Sequence, residues 1–451
     1  MSRSFSSRRR FLATTLGSAL ATGLLPSPAR AATETEVLVI GAGAAGLAAA
    51  RKLVEWDYDV ILLEGAQRIG GRVWTDWSLG LPFEVGAGWI HGPEGGNPVS
   101  ALARAVGART FVTDDESFLV FAADGSPVER AKIEASYREL EAIYRRIDDT
   151  LERDTSLVQA IRRVSPGFAR DPILNWMASA YTEFDTGGPI EQLSAYNFDE
   201  DEAYPGDDVV LPGGYEALLA PLADGLDIRL GHPVERIAYG DGVRVRAKGQ
   251  DFRADQVICT CPLGVLKGGS IAFDPPLPRS YRQRIERIAM GNVTKIGLKF
   301  AEPHWPLETQ YFGLMTEEKG RWNYFLNART FSDQNVLVGL SVGAYAGKVE
   351  RLSDEQMTAD ALEAVRRMFG EGVPAPLEVI TTRWSRNPFS LGAYSFSNQG
   401  VRPRDFDSLA SPIEETLLLA GEHTTFDYHG TVHGALLSGE QAAEILDEEL
   451  A

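Results

Sequence analysis

The chain has 451 residues, 44% of them hydrophobic, a formal net charge of −19 and only two cysteines. That length exceeds one simple core and predicts two domains. So acidic a surface repels nucleic acid, two cysteines cannot build a disulfide framework, and the six scattered His with no Cys–His ligand spacing predict no metal.

Residues 1–31 read as a segment apart from the fold. Ser7-Arg8-Arg9-Arg10-Phe11-Leu12 is a twin-arginine pattern, the stretch 11–25 is mildly apolar, Pro26 and Pro28 break it, and Ala29-Arg30-Ala31 fits a small-x-small cleavage site. The apolar stretch is shorter than the ~20 residues a membrane span needs. The expectation is a signal peptide cut after Ala31, with the twin-arginine translocase as export partner. The mature chain would have no membrane span and would be periplasmic or secreted in a bacterium. The five Arg of this segment leave the remainder near a charge of about −24.

Next, Val37-Leu38-Val39-Ile40 reads as a strand running into Gly41-Ala42-Gly43-Ala44-Ala45-Gly46, and a second strand, Val60-Ile61-Leu62-Leu63, ends on Glu64. Strand, glycine turn, helix and strand with an acid at its tip form a dinucleotide-binding unit. The first Gly allows the tight turn, the second lets the main chain approach a pyrophosphate, and the third lets helix and strand pack closely. The helix N–H groups present the positive dipole end to phosphate, and Glu64 can accept from ribose hydroxyls. A phosphate at the ribose 2′ position would be repelled. The turn alone does not separate NAD from FAD.

Arg68-Ile69-Gly70-Gly71-Arg72 and Gly86-Ala87-Gly88-Trp89-Ile90-His91-Gly92 follow. Helical, charged segments are predicted over 129–161 and 172–181. The acid-rich Asp199-Glu200-Asp201-Glu202 leads to Leu211-Pro212-Gly213-Gly214-Tyr215, and strand signals return at 227–230, 234–239 and 256–260. Cys259 and Cys261 are two apart in that last strand, so they should point to opposite faces and not reach each other. Alternating patterns at 295–300 and 336–342 mark a second sheet. A buried strand at 416–420 opens onto Gly421-Glu422-His423-Thr424, and a helix begins at Val432. The segments read as two interleaved domains.

The glycine turn, Arg68–Arg72 and Gly421-Glu422-His423 together resemble the flavin-dependent amine oxidases. Gly86–Gly92 followed by Gly96-Asn97-Pro98 looks like polyamine oxidases. Cys261-Pro262-Leu263-Gly264-Val265-Leu266 and the run Thr431-Val432-His433-Gly434-Ala435-Leu436-Leu437-Ser438-Gly439 are similar to polyamine oxidases and lysine-specific histone demethylases. The resemblance implies an α/β fold, with a Rossmann-like FAD-binding domain at 34–95, 205–272 and 405–451. An interleaved α+β substrate domain would occupy 96–204 and 273–404. It implies FAD with Gly41, Gly43, Ala45 and Gly46 at the pyrophosphate, Glu64 at the adenosine ribose and Val234 near the adenine. Arg72 would bind phosphate or the flavin side, Ala87, Gly88, Trp89 and Trp384 would lie near the flavin, and Glu422 would meet the ribityl chain. Thr431 and Val432 would open a helix toward the flavin pyrimidine edge. Lys295 matches the family lysine that holds a water against flavin N5. Ala393 stands where monoamine oxidases attach flavin through Cys, so FAD is expected to be non-covalent.

What the resemblance implies chemically is removal of a hydride from the carbon beside an amine nitrogen. Imine hydrolysis then gives an aldehyde and an amine, with O₂ taken to H₂O₂. The amine must react neutral, which a low-dielectric tunnel favours. Tyr394 matches one aromatic wall before the flavin. Thr431 stands where monoamine oxidases place a second aromatic, which favours a long flexible amine such as spermine or spermidine, free or acetylated. His91 and Glu183 are the expected substrate ligands, with Asp185 and 199–202 as further acids along the path. An oxidase of another amine, or of an L-amino acid gripped by a guanidinium, is the alternative.

Overall fold

Val37–Ile40 is buried along its whole length and occupies the centre of a five-stranded sheet. A computed structural model describes residues 33–450, so residues 1–31, where a signal peptide is expected, lie outside the described residues. The sheet runs Asp227–Arg229, Val60–Leu63, Val37–Ile40, Gln256–Cys259 and Leu417–Leu419, parallel throughout. Continuous apolar sequence suits strands covered on both faces. Val37, Val39 and Leu62 pack against the helices Ala44–Glu55 and Val432–Ile445. Leu38, Ile40, Ile61 and Leu63 face the other way, toward Val243–Ala247 and Gln250–Ala254 of a second five-stranded sheet. The two long helices meet closely because Gly439 has no side chain: a Cβ there would fall 2.1 Å from the Ala45 carbonyl oxygen.

The other body is a six-stranded sheet, in the order Glu378–Thr381, Val293–Lys299, Val336–Val342, Tyr324–Asn327, Tyr311–Leu314 and Phe118–Phe121. All its pairings are antiparallel except the last. Lys295 lies opposite Leu340 in this sheet. Beside the sheet, the helix Arg130–Thr150 buries Ile133, Leu140, Ile143 and Ile147, one stripe at helical spacing. The region predicted helical over 129–161 is therefore two helices, because the chain breaks after Thr150 and resumes at Leu157–Val164.

The helix Pro172–Met177 starts from Asp171, whose carboxylate accepts the Ile173 and Leu174 N–H groups. It continues as a wide π-helical turn, Ala178–Glu183, then a last short turn, Phe184–Thr186, that ends on Gly187 at φ 71°. Such wide turns rotate the following residues relative to a regular helix.

Two segments expected in the second body pack elsewhere. Val99 and Ala103 of Pro98–Ala105 enter the core with Val37 and Leu47, and Tyr281 and Ile285 of Arg279–Arg287 enter the core with Leu38. Cys259 and Cys261 are both free, buried and in that same second core, not on opposite faces. Residues two apart along a strand share a face, so the alternation itself puts both thiols on one side and within reach of each other, contrary to the expectation.

Candidate active site

A single cavity of about 960 Å³ extends from the glycine turn to Tyr181, Tyr324 and Asp185. Its first end is made by backbone. Gly41 sits at φ +101°, and a Cβ there would lie 2.7 Å from Thr260 Oγ1. Gly43 caps the helix Ala44–Glu55 with no side chain over the N–H groups, and a Cβ on it would meet no protein atom nearer than Gly70 O at 4.0 Å. That open face, with free helix N–H groups behind it, fits a pyrophosphate. Ala45 lines the same space, whereas Gly46 does not. A Cβ on Gly46 would fall 1.8 Å from Gly41 O, so this glycine packs helix on strand instead of touching phosphate. Glu64 is held facing the cavity by Ala42 N–H on Oε2 and Ala66 N–H on Oε1, each 2.7 Å. Each carboxylate oxygen keeps a second lone pair for a ribose hydroxyl. Val234 lines the cavity near this end.

Arg72, Ala87, Gly88, Trp89, Lys295, Trp384, Glu422, Thr431 and Val432 all line the same cavity. Arg72 Nη1 donates to Ala393 O at 3.0 Å and to Glu422 Oε1 at 2.7 Å. Glu422 Oε2 accepts from Ser395 Oγ at 2.5 Å and from Gly430 N–H at 2.9 Å. Burial opposes charge on Glu422, yet Arg72 and these hydrogen bonds prevail and hold it at about 2. Glu422 therefore braces Arg72, while its Oε1, which accepts from Arg72 alone, keeps a lone pair in the cavity for the expected ribityl contact. Trp384 Nε1 donates to Val85 O at 2.9 Å.

Lys295 Nζ donates to Gly86 O at 2.6 Å and Glu84 O at 3.1 Å, and lies 5.2 Å from the centre of a Trp89 ring. Burial lowers it to about 8, against the Glu84 carboxylate, which raises it. Burial in turn raises Glu84, whose bonds to Tyr215 N–H and Thr75 Oγ1 act the other way. The strand-face lysine is therefore an inward one, fixed to the Gly86–Trp89 segment.

At the far end Tyr394 Oη donates to Phe184 O at 2.5 Å. Thr431 lines the cavity, but its hydroxyl accepts Gly434 N–H at 2.9 Å and donates to Tyr428 O at 2.7 Å. Its donor and one lone pair serve the cap of the last helix, so toward a substrate it offers a wall and a single remaining acceptor. Phe184 meets Trp89 edge-on, with centroids 6.0 Å apart, and Tyr311 stacks on Tyr324 at 5.0 Å. His91 faces the cavity with Nδ1 2.5 Å from Asp208 Oδ2. The His91 side chain is 57% exposed in the open cavity, so desolvation opposes its charge only weakly, and Asp208, Asp185 and Asp115 raise it.

Glu183 is not a cavity residue. It is 1% exposed, and Oε1 accepts from Lys319 Nζ at 2.6 Å and Ile190 N–H at 2.9 Å. The wide turn Ala178–Glu183 rotates Glu183 outward and brings Phe184 and Asp185 to the cavity instead. Of the acid-rich loop, Asp201 and Glu202 reach the cavity. Sequence reasoning missed Asp115, Asp208, Tyr311 and Tyr324. Only the alternation at 295–300 and 336–342 hinted at a sheet here, and nothing local shows that Tyr311 meets Tyr324.

A sheet with a glycine turn, an acid at the next strand tip and a deep cavity beyond them defines a dinucleotide-dependent oxidoreductase. The flavin-containing amine oxidoreductase family matches residues 44–446, and the chain belongs to it. It is 33% identical to Polyamine oxidase 2 of Arabidopsis thaliana over 90% of this chain and 87% of that one. It is 34% identical to Lysine-specific histone demethylase 1 homolog 1 of Oryza sativa subsp. japonica, over 94% of this chain but 54% of that one. A putrescine oxidase solved with putrescine bound superposes with a TM-score of 0.73 at 23% identity, over 93% of this chain and all of that chain. The protein is an FAD-dependent amine oxidase by family, and the cavity fits that cofactor.

Proposed function

We propose that the chain oxidises polyamines of the spermidine and spermine kind, with O₂ as electron acceptor. The observation that carries this is one continuous cavity, with a nucleotide cradle at Gly43 and Glu64 and an aromatic, carboxylate-bearing far end at Tyr324 and Asp185. When bound, FAD accepts a hydride from the carbon beside the amine nitrogen and passes the electrons to O₂, giving H₂O₂. The cradle at Gly43 holds the pyrophosphate, and Arg72, fixed by Glu422, keeps a positive charge along the cofactor. Ala393 offers no thiol for a covalent bond to flavin. Trp89, Phe184 and Tyr394 exclude water from the reacting carbon, and that dry setting favours the neutral amine. Lys295 holds a donor beside Gly86 and Trp89, where it assists reoxidation or imine hydrolysis.

An L-amino acid oxidase needs a guanidinium free for the substrate carboxylate. The two arginines lining the cavity are engaged: Arg68 donates to the carbonyls of Ile69, Gly71 and Val73, and Arg72 to Glu422. Purified FAD-loaded protein should release H₂O₂ with spermidine or spermine and none with L-amino acids. Turnover of amino acids alone would overturn the reading.

Export by the twin-arginine route belongs to the same proposal. Arg8→Lys with Arg9→Lys should keep the protein in the cytoplasm, and unchanged export of the double variant would count against it.

A further inference from the structure

Two pieces of chain remote in sequence meet at the nucleotide end of the cavity. One is the tip of the second strand, where Glu64, Gly65 and Ala66 line the space. The other is the loop after Trp384, where Asn387, Pro388 and Phe389 line it as well. Their point of contact is the Phe389 ring on Gly65. A Cβ on Gly65 would fall 2.5 Å from Phe389 Cε1, 2.8 Å from Cδ1 and 3.2 Å from Cζ, and these are the three atoms nearest to it. Gly65 has no positive φ that would call for glycine. Its missing side chain is therefore accounted for by the ring that lies against it. The residue before it is Glu64, whose carboxylate is aimed at a ribose by the Ala42 and Ala66 N–H groups, so the ring stands beside the place where the ribose binds.

The backbone that carries this ring is anchored. Phe389 N–H donates to Asn387 Oδ1 at 2.9 Å, and Ser390, 2% exposed, donates its hydroxyl to Trp384 O at 3.0 Å. The Ser390 carbonyl is seated on the helix Leu263–Gly268, where a Cβ on Gly264 would fall 2.3 Å from it. The ring itself is 42% exposed. A fixed backbone with a half-bare side chain leaves the side-chain torsions as the moving part, and exposed side chains change rotamer readily.

We propose that Phe389 is the movable cover of the cofactor site. Seated on Gly65, the ring closes the cavity beside the ribose, and FAD enters and leaves when the ring swings toward solvent. This depends on FAD, the cofactor of the family, and not on which amine is oxidised. Asn387 and Ser390 keep their partners in both positions, so no backbone hydrogen bond breaks when the cover opens. The ring brings no hydrogen bond to the cofactor. Its removal therefore changes how fast FAD exchanges more than how tightly FAD is held.

Two measurements on the FAD-loaded enzyme test this. Exchange of bound FAD for radiolabelled FAD reads the release rate, and flavin fluorescence on serial dilution reads Kd. Phe389→Ala should release FAD about 10-fold faster or more, as loss of a gate on release does, while Kd rises less than about threefold. Phe389→Tyr should restore slow exchange. Gly65→Ala should act like Phe389→Ala, because its methyl displaces a ring that has solvent to move into. The double variant should release FAD no faster than Phe389→Ala alone, since both substitutions act on one ring. Three outcomes would each overturn the inference: release from Phe389→Ala within about twofold of wild type, a Kd that rises by the same factor as the release rate, or additive effects of the two substitutions.

Discussion

Lys319 Nζ sits 2.6 Å from Glu183 Oε1, and this ion pair holds the carboxylate away from the cavity while Phe184 and Asp185 enter it. The acid two residues earlier is thus a brace for the turn. Lys319→Met would leave a buried, unpaired carboxylate, raised further by burial. Unfolding in urea should show a loss of about 1–2 kcal/mol, below the usual cost of breaking a buried pair because Lys319 is partly solvated. The ratio of kcat/KM for a diamine to that for a monoamine should stay within about twofold of wild type. Unchanged stability with a lost diamine preference would return Glu183 to the substrate path.

Lys295 carries the second prediction. Its ammonium is bonded to Gly86 O and Glu84 O and lowered to about 8 by burial, so its charge titrates in an accessible range. Lys295→Met should slow reoxidation of the reduced enzyme by O₂ about 10- to 100-fold, as loss of a fixed donor at a reacting centre does. If the charged form assists, the wild-type rate falls as pH rises through about 8, and the variant lacks that inflection. Stopped-flow mixing of anaerobically reduced enzyme with O₂ reads both. A variant with wild-type rate and pH profile would confine Lys295 to packing.

The nucleotide end was far more legible in the sequence than the substrate end. Gly41, Gly43 and Glu64 belong to one strand–helix–strand unit, so their spacing carries most of their geometry, although Thr260, far along the chain, also closes on Gly41. Gly46 was also readable, although its role is packing and not phosphate contact. Arg72 and Glu422 are 350 positions apart, and no local pattern says that they bond. Glu183 and Asp185 look alike as acids after a helix. What separates them is the wide turn Ala178–Glu183, a backbone feature set by packing against Ile190 and Lys319 and not by propensity. Thr431 was placed correctly at the cavity, yet its use as a helix cap depends on Tyr428 and Gly434.

Glu422 should give the protein a pH-dependent stability of defined sign. Its carboxyl lies at about 2 in the fold, against an ordinary value of 4.5, because Arg72, Ser395 and their neighbours outweigh burial. A depressed acid contributes fully above its unfolded value and loses that contribution as pH falls through the folded one. The shift corresponds to about 3 kcal/mol above pH 4.5, falling to about 1 near pH 2.5. Glu422→Gln should therefore be destabilised most near neutrality, and its gap to wild type should narrow on acidification. Urea unfolding at a series of pH values measures it, and a gap that widens below pH 4 would contradict the assignment.

The two glycines that flank Ala44 and Ala45 should fail in different ways. A methyl on Gly46 would fall 1.8 Å from the Gly41 carbonyl oxygen, a backbone atom that cannot step aside. Gly46→Ala should cost about 3 kcal/mol or more, the scale of severe overpacking, and lower the melting temperature even without flavin. A methyl on Gly43 meets nothing in the protein closer than 4.0 Å and projects where the pyrophosphate would lie. Gly43→Ala should therefore melt like wild type when flavin-free, yet bind FAD at least about 10-fold more weakly, since the main chain must approach the phosphates closely. Flavin fluorescence titration of the two apoproteins, beside their melting curves, separates the outcomes. If Gly43→Ala binds FAD as tightly as wild type, the pyrophosphate does not lie against this turn.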